Sequence, residues 1–330
     1  MKTAFITGIN GQDGSYLAEL LLSKGYRVIG LVRRLSVPES QTSRLEEAGV
    51  LGHSNLHLEY GDLTDQSSLF RVLNKYEPDE IYNLGAQSHV KVSFDAPQFT
   101  TDVIAIGTLN LLEAMKEVCP HSRLYQAGSS EMFGNSIDDD GFQRETTPMR
   151  PVSPYGCAKV YANNICINYR HSYKMFISNG ILFNHESPRR GGSFVTNKIV
   201  RGAVDIFNDK CDSLALGNLN AARDWGHSKD YVQAMWMMLQ HDIPLDVVCA
   251  TGKSHRVGDV VDYVFKKLDL CPDQHVVIDP KYFRPEELNY LQGDSTLLRK
   301  TLGWKPRYTF ERMLDEMIEV AIKNSQKLTK

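Results

Sequence analysis

Two short runs of this chain hold the side chains best suited to chemistry: Ser129-Ser130-Glu131 and, further on, Tyr155-Gly156-Cys157-Ala158-Lys159. Tyrosine and lysine four apart on a helix share one face, which brings the ammonium near the phenol. A free phenol titrates near about pH 10. A fixed cation favours its phenolate, so Tyr155 is a candidate general base at neutral pH. That chemistry suffices to take a proton from a sugar hydroxyl while hydride leaves the same carbon. Glu131 adds a second base, which simple alcohol oxidation does not need. Together they point to oxidation followed by elimination.

These residues need a scaffold. The first half alternates short apolar runs, read as buried strands at Thr3–Thr7, Arg27–Val32, Glu80–Leu84 and Arg123–Ala127, with helical spacing at Ser15–Lys24, Gln66–Lys75 and Asp102–Val118. Such alternation predicts an α/β fold: a Rossmann-type, doubly wound parallel sheet with right-handed crossovers. Ser129 and Glu131 then follow a strand, where ligands gather beyond the carboxyl ends of a parallel sheet. Pro154 marks the start of the helix that carries Tyr155. Beyond about residue 180 the pattern loosens. Helices are expected at Phe194–Phe207, Lys229–Gln240, Val257–Leu268, Ser295–Leu302 and Phe310–Asn324, with short strands at Leu214–Leu216, Val247–Ala250 and Val276–Ile278. The expected division is a nucleotide-binding domain over 1–183 and a smaller, partly interwoven α/β substrate domain over 184–330.

Thr7-Gly8-Ile9-Asn10-Gly11-Gln12-Asp13-Gly14 joins the first strand to the first helix. Glycines let the backbone turn tightly and approach a pyrophosphate, and the helix N-terminus supplies donors. The spacing is G-x-x-G-x-x-G rather than G-x-G-x-x-G. After the second strand stand Arg33 and Arg34, where an NAD site usually has an acid, so NADP is favoured. Asp62 has two readings, an acceptor for the adenine amino group or a cap for the helix beginning near Asp65.

The formal net charge of −3 argues against broad nucleic-acid binding. Cys119, Cys157, Cys166, Cys211, Cys249 and Cys271 form no metal-spaced set and read as reduced, packed thiols. No apolar run approaches a membrane span, and the start of the chain has no secretory leader. The expectation is a soluble cytoplasmic protein with no metal and no membrane partner.

The runs ITGINGQDGSYLAELLL, LVRRLS, YNLGAQSHVKVSF, SSEMFG, SPYGCAK, LFNHESPRRGGSFVTNKI, LGNLNAARDWGHSKDYVQAMW and YFRPEELNYLQGD span nearly the whole chain. They resemble the extended short-chain dehydrogenase/reductase family and, within it, the GDP-mannose 4,6-dehydratases. The resemblance implies a lyase acting on GDP-mannose with NADP. In it Tyr155 deprotonates the C4 hydroxyl, Glu131 takes the C5 proton, and Ser129 and protonated Glu131 help water leave C6. Hydride then returns to C6, giving GDP-4-dehydro-6-deoxy-D-mannose.

By matching motif, cofactor contacts fall on Gly8, Gly11, Gln12, Asp13, Arg33, Arg34, Asp62, Leu63, Leu84, Gln87, Ser88, Lys159, His185 and Arg190. Contacts to the GDP-sugar fall on Asn184, Lys198, Arg223, Arg284 and Glu287. The resemblance also implies a homodimer or homotetramer and a place in GDP-fucose or GDP-rhamnose synthesis. Departures from the family pattern are Ser129 for threonine, Phe99 and Phe133 for tyrosine, Asn197 for arginine, and Leu35 within a basic-serine run. Two rival readings are a related nucleotide-sugar 4-epimerase or 4-keto reductase, and a nicotinamide-sensing protein on an inactive fold. The first needs no C5 base, so Glu131 discriminates against it; the second is expected to lack the tyrosine or the lysine, and Tyr155 and Lys159 are both present.

Overall fold

The computed structural model describes residues 1–34 and 41–327, so the departure at Leu35 lies outside it. Seven parallel strands form the main sheet: β1 Thr3–Thr7, β2 Arg27–Val32, β3 Leu56–Tyr60, β4 Glu80–Asn83, β5 Arg123–Ala127, β6 Phe176–Leu182 and, arriving later in the chain, β10 Asp246–Cys249. Their spatial order is β10-β6-β5-β4-β1-β2-β3. The winding reverses between β1 and β4, and such a switch point opens a crevice at the strands' carboxyl ends. The doubly wound α/β expectation therefore holds. β3, β6 and β10 complete the sheet beyond the four strands singled out in the first half, and β10 overlaps the strand expected at Val247–Ala250.

The remaining strands are β7 Asn184–Glu186, β8 Leu214–Leu216, β9 Ala222–His227, β11 Ser254–Arg256 and β12 Val276–Ile278. β9 lies between β7 and β11, and β8 pairs with β12. A second core, around Ile199, Val204, Trp225, Val261, Phe265 and Met313, packs beside these short strands. Helices cover both faces of the main sheet. On one, Tyr16, Leu17 and Leu21 of the helix Gln12–Ser23 are buried with Ala4 and Val28. On the other, Leu111, Leu112 and Met115 pack with Phe5, Ile81 and Leu124.

The expected helix Asp102–Val118 is instead a π turn, Asp102–Ile106, running into an α-helix, Gly107–Val118. A Cβ on Gly107 would stand 2.8 Å from Leu63 Cβ, so this wider turn seats the helix tightly against the loop after β3. Phe133 is fully buried and packs near Phe183, so no hydroxyl is missed there; Phe99 is exposed. Cys119, Cys166 and Cys249 are buried free thiols, but Cys157, Cys211 and Cys271 are exposed, which corrects their reading as packed. Among the described residues no helix is long and apolar enough to cross a membrane, and no cluster of His, Cys, Asp or Glu is placed to hold a metal ion.

Candidate active site

A cavity of about 1000 Å³ opens at the carboxyl ends of β1, β4 and β5 and extends under β7 and β9. The glycine loop forms its first wall. Gly8 has φ +68°, and Gly11 N–H closes the turn on Gly8 O at 2.9 Å. A Cβ on Gly14 would lie 2.3 Å from Gly8 O and 2.5 Å from Ile9 Cα, so helix and loop touch as no other residue would allow. Ser15 N–H makes the first intrahelical bond, to Gly11 O, which leaves the amides before it at the helix N-terminus facing this wall. The loop therefore fits a pyrophosphate on backbone donors.

The side chains of Gln12 and Asp13 are already engaged. Asp13 accepts from His185 Nε2 and Ser228 Oγ, both at 2.7 Å. Despite burial, His185 and these hydrogen bonds hold its carboxyl down at about 2, while Asp13 raises His185. Gln12 donates to His185 O and accepts from Ser187 Oγ. These two residues clamp the first helix to β7 and β9. Ser187 and Ser228 do this without any local spacing that could have announced them.

Arg33 lies 4.0 Å from Asp62, and both line the cavity. Arg33, Arg34, Arg71, Ser67 and Ser68 line a shallow hollow beside it. Asp62 accepts from Thr64 N–H and Oγ, while the cap of the helix Gln66–Tyr76 is Asp65. Of its two readings, the helix cap is therefore removed. Leu63, Leu84 and Ser88 line the cavity. Gln87 spends its side chain on Thr100, on His89 O and on His89 N–H, so it shapes the loop after β4.

Ser153 caps the helix Pro154–Tyr173 by accepting from Gly156 N–H at 3.0 Å, which sets Tyr155 in the first turn and Lys159 one turn on. Lys159 Nζ sits 5.8 Å from the Tyr155 ring centroid and donates to Ala127 O at 2.7 Å. Burial dominates both groups. It pushes the Tyr155 phenol up to about 12 against the opposing hydrogen bond from Ser129, and lowers Lys159 to about 8. The expected phenolate-favouring pull of Lys159 is thus outweighed in the ligand-free chain.

Ser129 lies two residues beyond β5 and accepts from Glu131 N–H at 3.2 Å, opening the short 3₁₀ turn Ser130–Phe133. That turn buries the Glu131 side chain. Its Oε1 receives Arg284 Nη1 at 3.1 Å, and its Oε2 is buried without a hydrogen-bond partner among the described residues. Such an orphaned carboxylate oxygen, on a residue that lines the cavity, fits a proton acceptor better than a structural acid.

The far wall is ionic. Arg223 is buried, donates to Ala222 O, Leu288 O and Glu287 Oε1, and is depressed by burial. Arg284 Nε lies 3.8 Å from the same Glu287 oxygen. Lys198 donates to Ala215 O and stands 3.3 Å over the Tyr282 ring. Asn184 Oδ1 is buried without a partner among the described residues. Arg190 Nε is 3.1 Å from Glu186 Oε2, though too poorly aligned for a hydrogen bond. Asn197 donates to Arg190 O, steadying that loop.

A doubly wound sheet with serine, tyrosine and lysine gathered beyond β5 defines the class, a Rossmann-type short-chain dehydrogenase/reductase of the extended kind. The family model for GDP-mannose 4,6 dehydratase matches residues 5–317. The chain is 48% identical to the GDP-mannose 4,6 dehydratase of Homo sapiens, over 97% of this chain and 91% of the relative. It is 49% identical to GDP-mannose 4,6 dehydratase 1 of Arabidopsis thaliana, with the same coverage. The chain belongs to the GDP-mannose 4,6-dehydratase family. In fold it is similar to a dTDP-glucose 4,6-dehydratase from Bacillus anthracis in complex with NAD, with TM-score 0.85, 22% identity and full coverage of both chains. It is also similar to a Pseudomonas aeruginosa protein complexed with NADPH, with TM-score 0.81 and 20% identity over 98% of this chain and 100% of that one.

Proposed function

We propose that this protein converts GDP-D-mannose to GDP-4-dehydro-6-deoxy-D-mannose and water with NADP as its resident cofactor. The observation that carries the reading is Glu131, a cavity-lining residue beside Tyr155 and Ser129 whose buried carboxylate has one oxygen on Arg284 and the other without a hydrogen-bond partner among the described residues. Epimerisation or reduction at C4 needs no such second base.

The tight Gly8–Gly14 turn suits a dinucleotide pyrophosphate, with the first-turn amides as donors and Gly8 and Gly11 shaping the turn that presents them. Arg33 and Arg34 would meet a 2′-phosphate, and Leu63, Leu84 and Ser88 would flank the nucleotide. When bound, the nicotinamide supplies an acceptor for the C4 hydride and gives that hydride back at C6, so turnover is redox-neutral.

Tyr155 Oη takes the C4 hydroxyl proton, with Ser129 Oγ hydrogen-bonded beside it. Lys159, anchored on Ala127 O, keeps a positive charge below the phenol. A ketone at C4 acidifies the hydrogen on C5, and Glu131 Oε2 accepts that proton. The carboxylic acid so formed protonates the departing C6 hydroxyl, assisted by Ser129, and as C6 is reduced the proton that Tyr155 took from the C4 hydroxyl is returned to C5, so both bases end as they began. Lys198, Arg223, Arg284, Glu287 and Asn184 present the charged and amide groups that a diphosphate-linked sugar needs. The remaining contacts proposed for the nucleotide are Gln12, Asp13, Gln87, His185 and Arg190, of which Gln12, Asp13 and His185 act by fixing the wall and Gln87 by shaping the loop after β4. The same reading carries residues 1–183 as the NADP-binding part, 184–330 as the sugar-nucleotide part, a cytoplasmic location, and a homodimer or homotetramer.

The deciding experiment is mass spectrometry of GDP-mannose incubated with the NADP-loaded protein in D₂O. The expected product has lost one water and gained solvent deuterium at C5, with no net change in cofactor. An unchanged mass, or an isomer of the substrate, would sink the proposal.

A further inference from the structure

The corner of the cavity around Glu131 holds two guanidinium groups and two carboxylates. Glu287 lies 3.2 Å from Arg223 and 3.8 Å from Arg284, and Arg284 reaches across to Glu131 at 3.1 Å. The groups facing Glu131 are Ser129 on its own turn, Tyr155 from the helix Pro154–Tyr173, Arg223 from β9, and Arg284 with Glu287 behind it from the segment after Tyr282. The charges of these two arginines and two glutamates cancel. A diphosphate entering that corner meets no excess positive charge until an ion pair opens.

The two arginines differ in how firmly they are held. Arg223 lies on a strand, is 5% exposed, and is fixed by two backbone carbonyls. Arg284 lies in irregular chain between the turn Pro280–Tyr282 and the bridge that joins Tyr290 to Ala222, and its side chain is 25% exposed. Its link to Glu131 joins residues 153 positions apart; beside it Asn135 donates to Glu287 O and accepts from Asn289 N–H, and Met132 and Phe133 cluster with Leu288 and Leu291, so the pair closes between two segments already held together.

We propose that Arg284 is an exchange switch: the fold pairs it with Glu131 Oε1, and the diphosphate of an entering sugar nucleotide draws it away. That carboxylate oxygen is thereby released only once substrate is seated. This inference rests on the reading that the substrate is a nucleotide diphosphate-sugar. Arg284 acts here as a positioning residue, through Glu131.

The test is a double-mutant cycle on GDP affinity, measured by calorimetry on the full chain with GDP as the probe. Glu131→Gln removes the competitor for Arg284 and should tighten GDP binding about three- to tenfold. In an Arg284→Gln background the same Glu131→Gln change should alter affinity by less than about twofold. A long-range charge effect alone would persist in both backgrounds, and an equal or absent effect overturns the switch. A crystal structure of the unsubstituted protein with GDP gives a second readout. It should show Arg284 on the diphosphate and the pair with Glu131 opened beyond about 4 Å, the usual ion-pair limit; a pair still closed with GDP seated overturns the inference. Failure of the unsubstituted protein to bind GDP overturns the substrate reading and this inference together. Dehydration of GDP-mannose with zero coupling leaves the reaction standing and removes only the switch.

Discussion

The two walls of the cavity are built on opposite plans. Around the glycine loop, Asp13, His185, Gln12, Ser187 and Ser228 bond to one another across regular elements, and Gly14 admits no slack between loop and helix. Around Arg284 the partners are charges balanced two against two, with Arg284 and Glu287 themselves on irregular chain. A locked wall suits a ligand that stays through every turnover. A wall of exchangeable ion pairs suits one that enters and leaves. The redox-neutral cycle requires that pairing of plans, since hydride taken at C4 must still be present to be returned.

Glu131 and Tyr155 stand at the seam between the walls, and changes there should have the largest effect. Glu131→Gln should lower dehydration by about 10³-fold or more while C4 oxidation persists, as expected when one general acid–base group is removed. Tyr155→Phe should block C4 oxidation itself with cofactor binding nearly intact. Product analysis together with transient nicotinamide absorbance separates the two steps. Dehydration at the normal rate in Glu131→Gln would remove its assigned role.

Asp13→Ala tests the locked wall. It leaves the raised His185 without its buried partner, and should cost about 3–5 kcal/mol in denaturant unfolding. Arg284→Gln on the opposite wall should cost about 1 kcal/mol or less, because that group is partly exposed. The sign of the pH effect follows from the Asp13 carboxyl, which sits at about 2 in the fold against 3.8 when unperturbed. Its stabilisation is complete above 3.8 and disappears as pH falls through about 2, so the gap between Asp13→Ala and the unsubstituted protein should narrow in acid. Similar costs at the two walls would erase the contrast.

The same contrast separates what the chain announces from what only its folding reveals. Tyr155 and Lys159 share a face because four residues make about one helical turn, and Gly8, Gly11 and Gly14 mark a strand-to-helix turn. Both patterns are local, as are the apolar strands on which the sheet is built. The bond from Asp13 to His185 spans 172 positions and that from Arg284 to Glu131 spans 153. No spacing fixes such a pair, because tertiary packing chooses the partner. Resemblance placed Asp13 and His185 near a cofactor, but their bond to each other appears only in the fold. Gln87 turned inward for a similar reason, since its amide meets the needs of the bending chain. Lys159 shows the other gap: its neighbour was legible, while the burial that decides its proton affinity was not.

That burial gives the third prediction. Lys159 falls from 10.5 to about 8, so its charged form is disfavoured in the fold by about 3 kcal/mol at neutral pH. Between about 8 and 10.5 the unfolded chain binds more protons, and stability rises with pH across that window. Lys159→Met should therefore abolish turnover yet stabilise the protein by about 1–3 kcal/mol below pH 8, less whatever the bond to Ala127 O contributes. The advantage should fade toward pH 10.5, read from urea midpoints at several pH values. A destabilised Lys159→Met at pH 7 would mean the ammonium is better solvated than its surroundings indicate.

The smallest effect concerns the rim of the locked wall, the one part of it that is exposed. Arg33 is about half exposed, and its nearest carboxylate, on Asp62, is 4.0 Å away. Surface charges like these are screened by salt, which limits what they can add to binding. A 2′-phosphate would nevertheless find Arg33, Arg34 and Arg71 around one hollow, with Ser67 and Ser68 beside them. Replacing Arg33 and Arg34 together by alanine should weaken NADP about tenfold and leave NAD nearly unchanged, and the loss should shrink as ionic strength rises. Arg71 stays in place in that variant, held by Tyr60 O and Glu59, so the hollow keeps one cation as an internal control. Equal losses for NADP and NAD would show the two arginines to be structural. No loss for either would place the phosphate elsewhere on the cavity and remove the main residue-level argument for NADP.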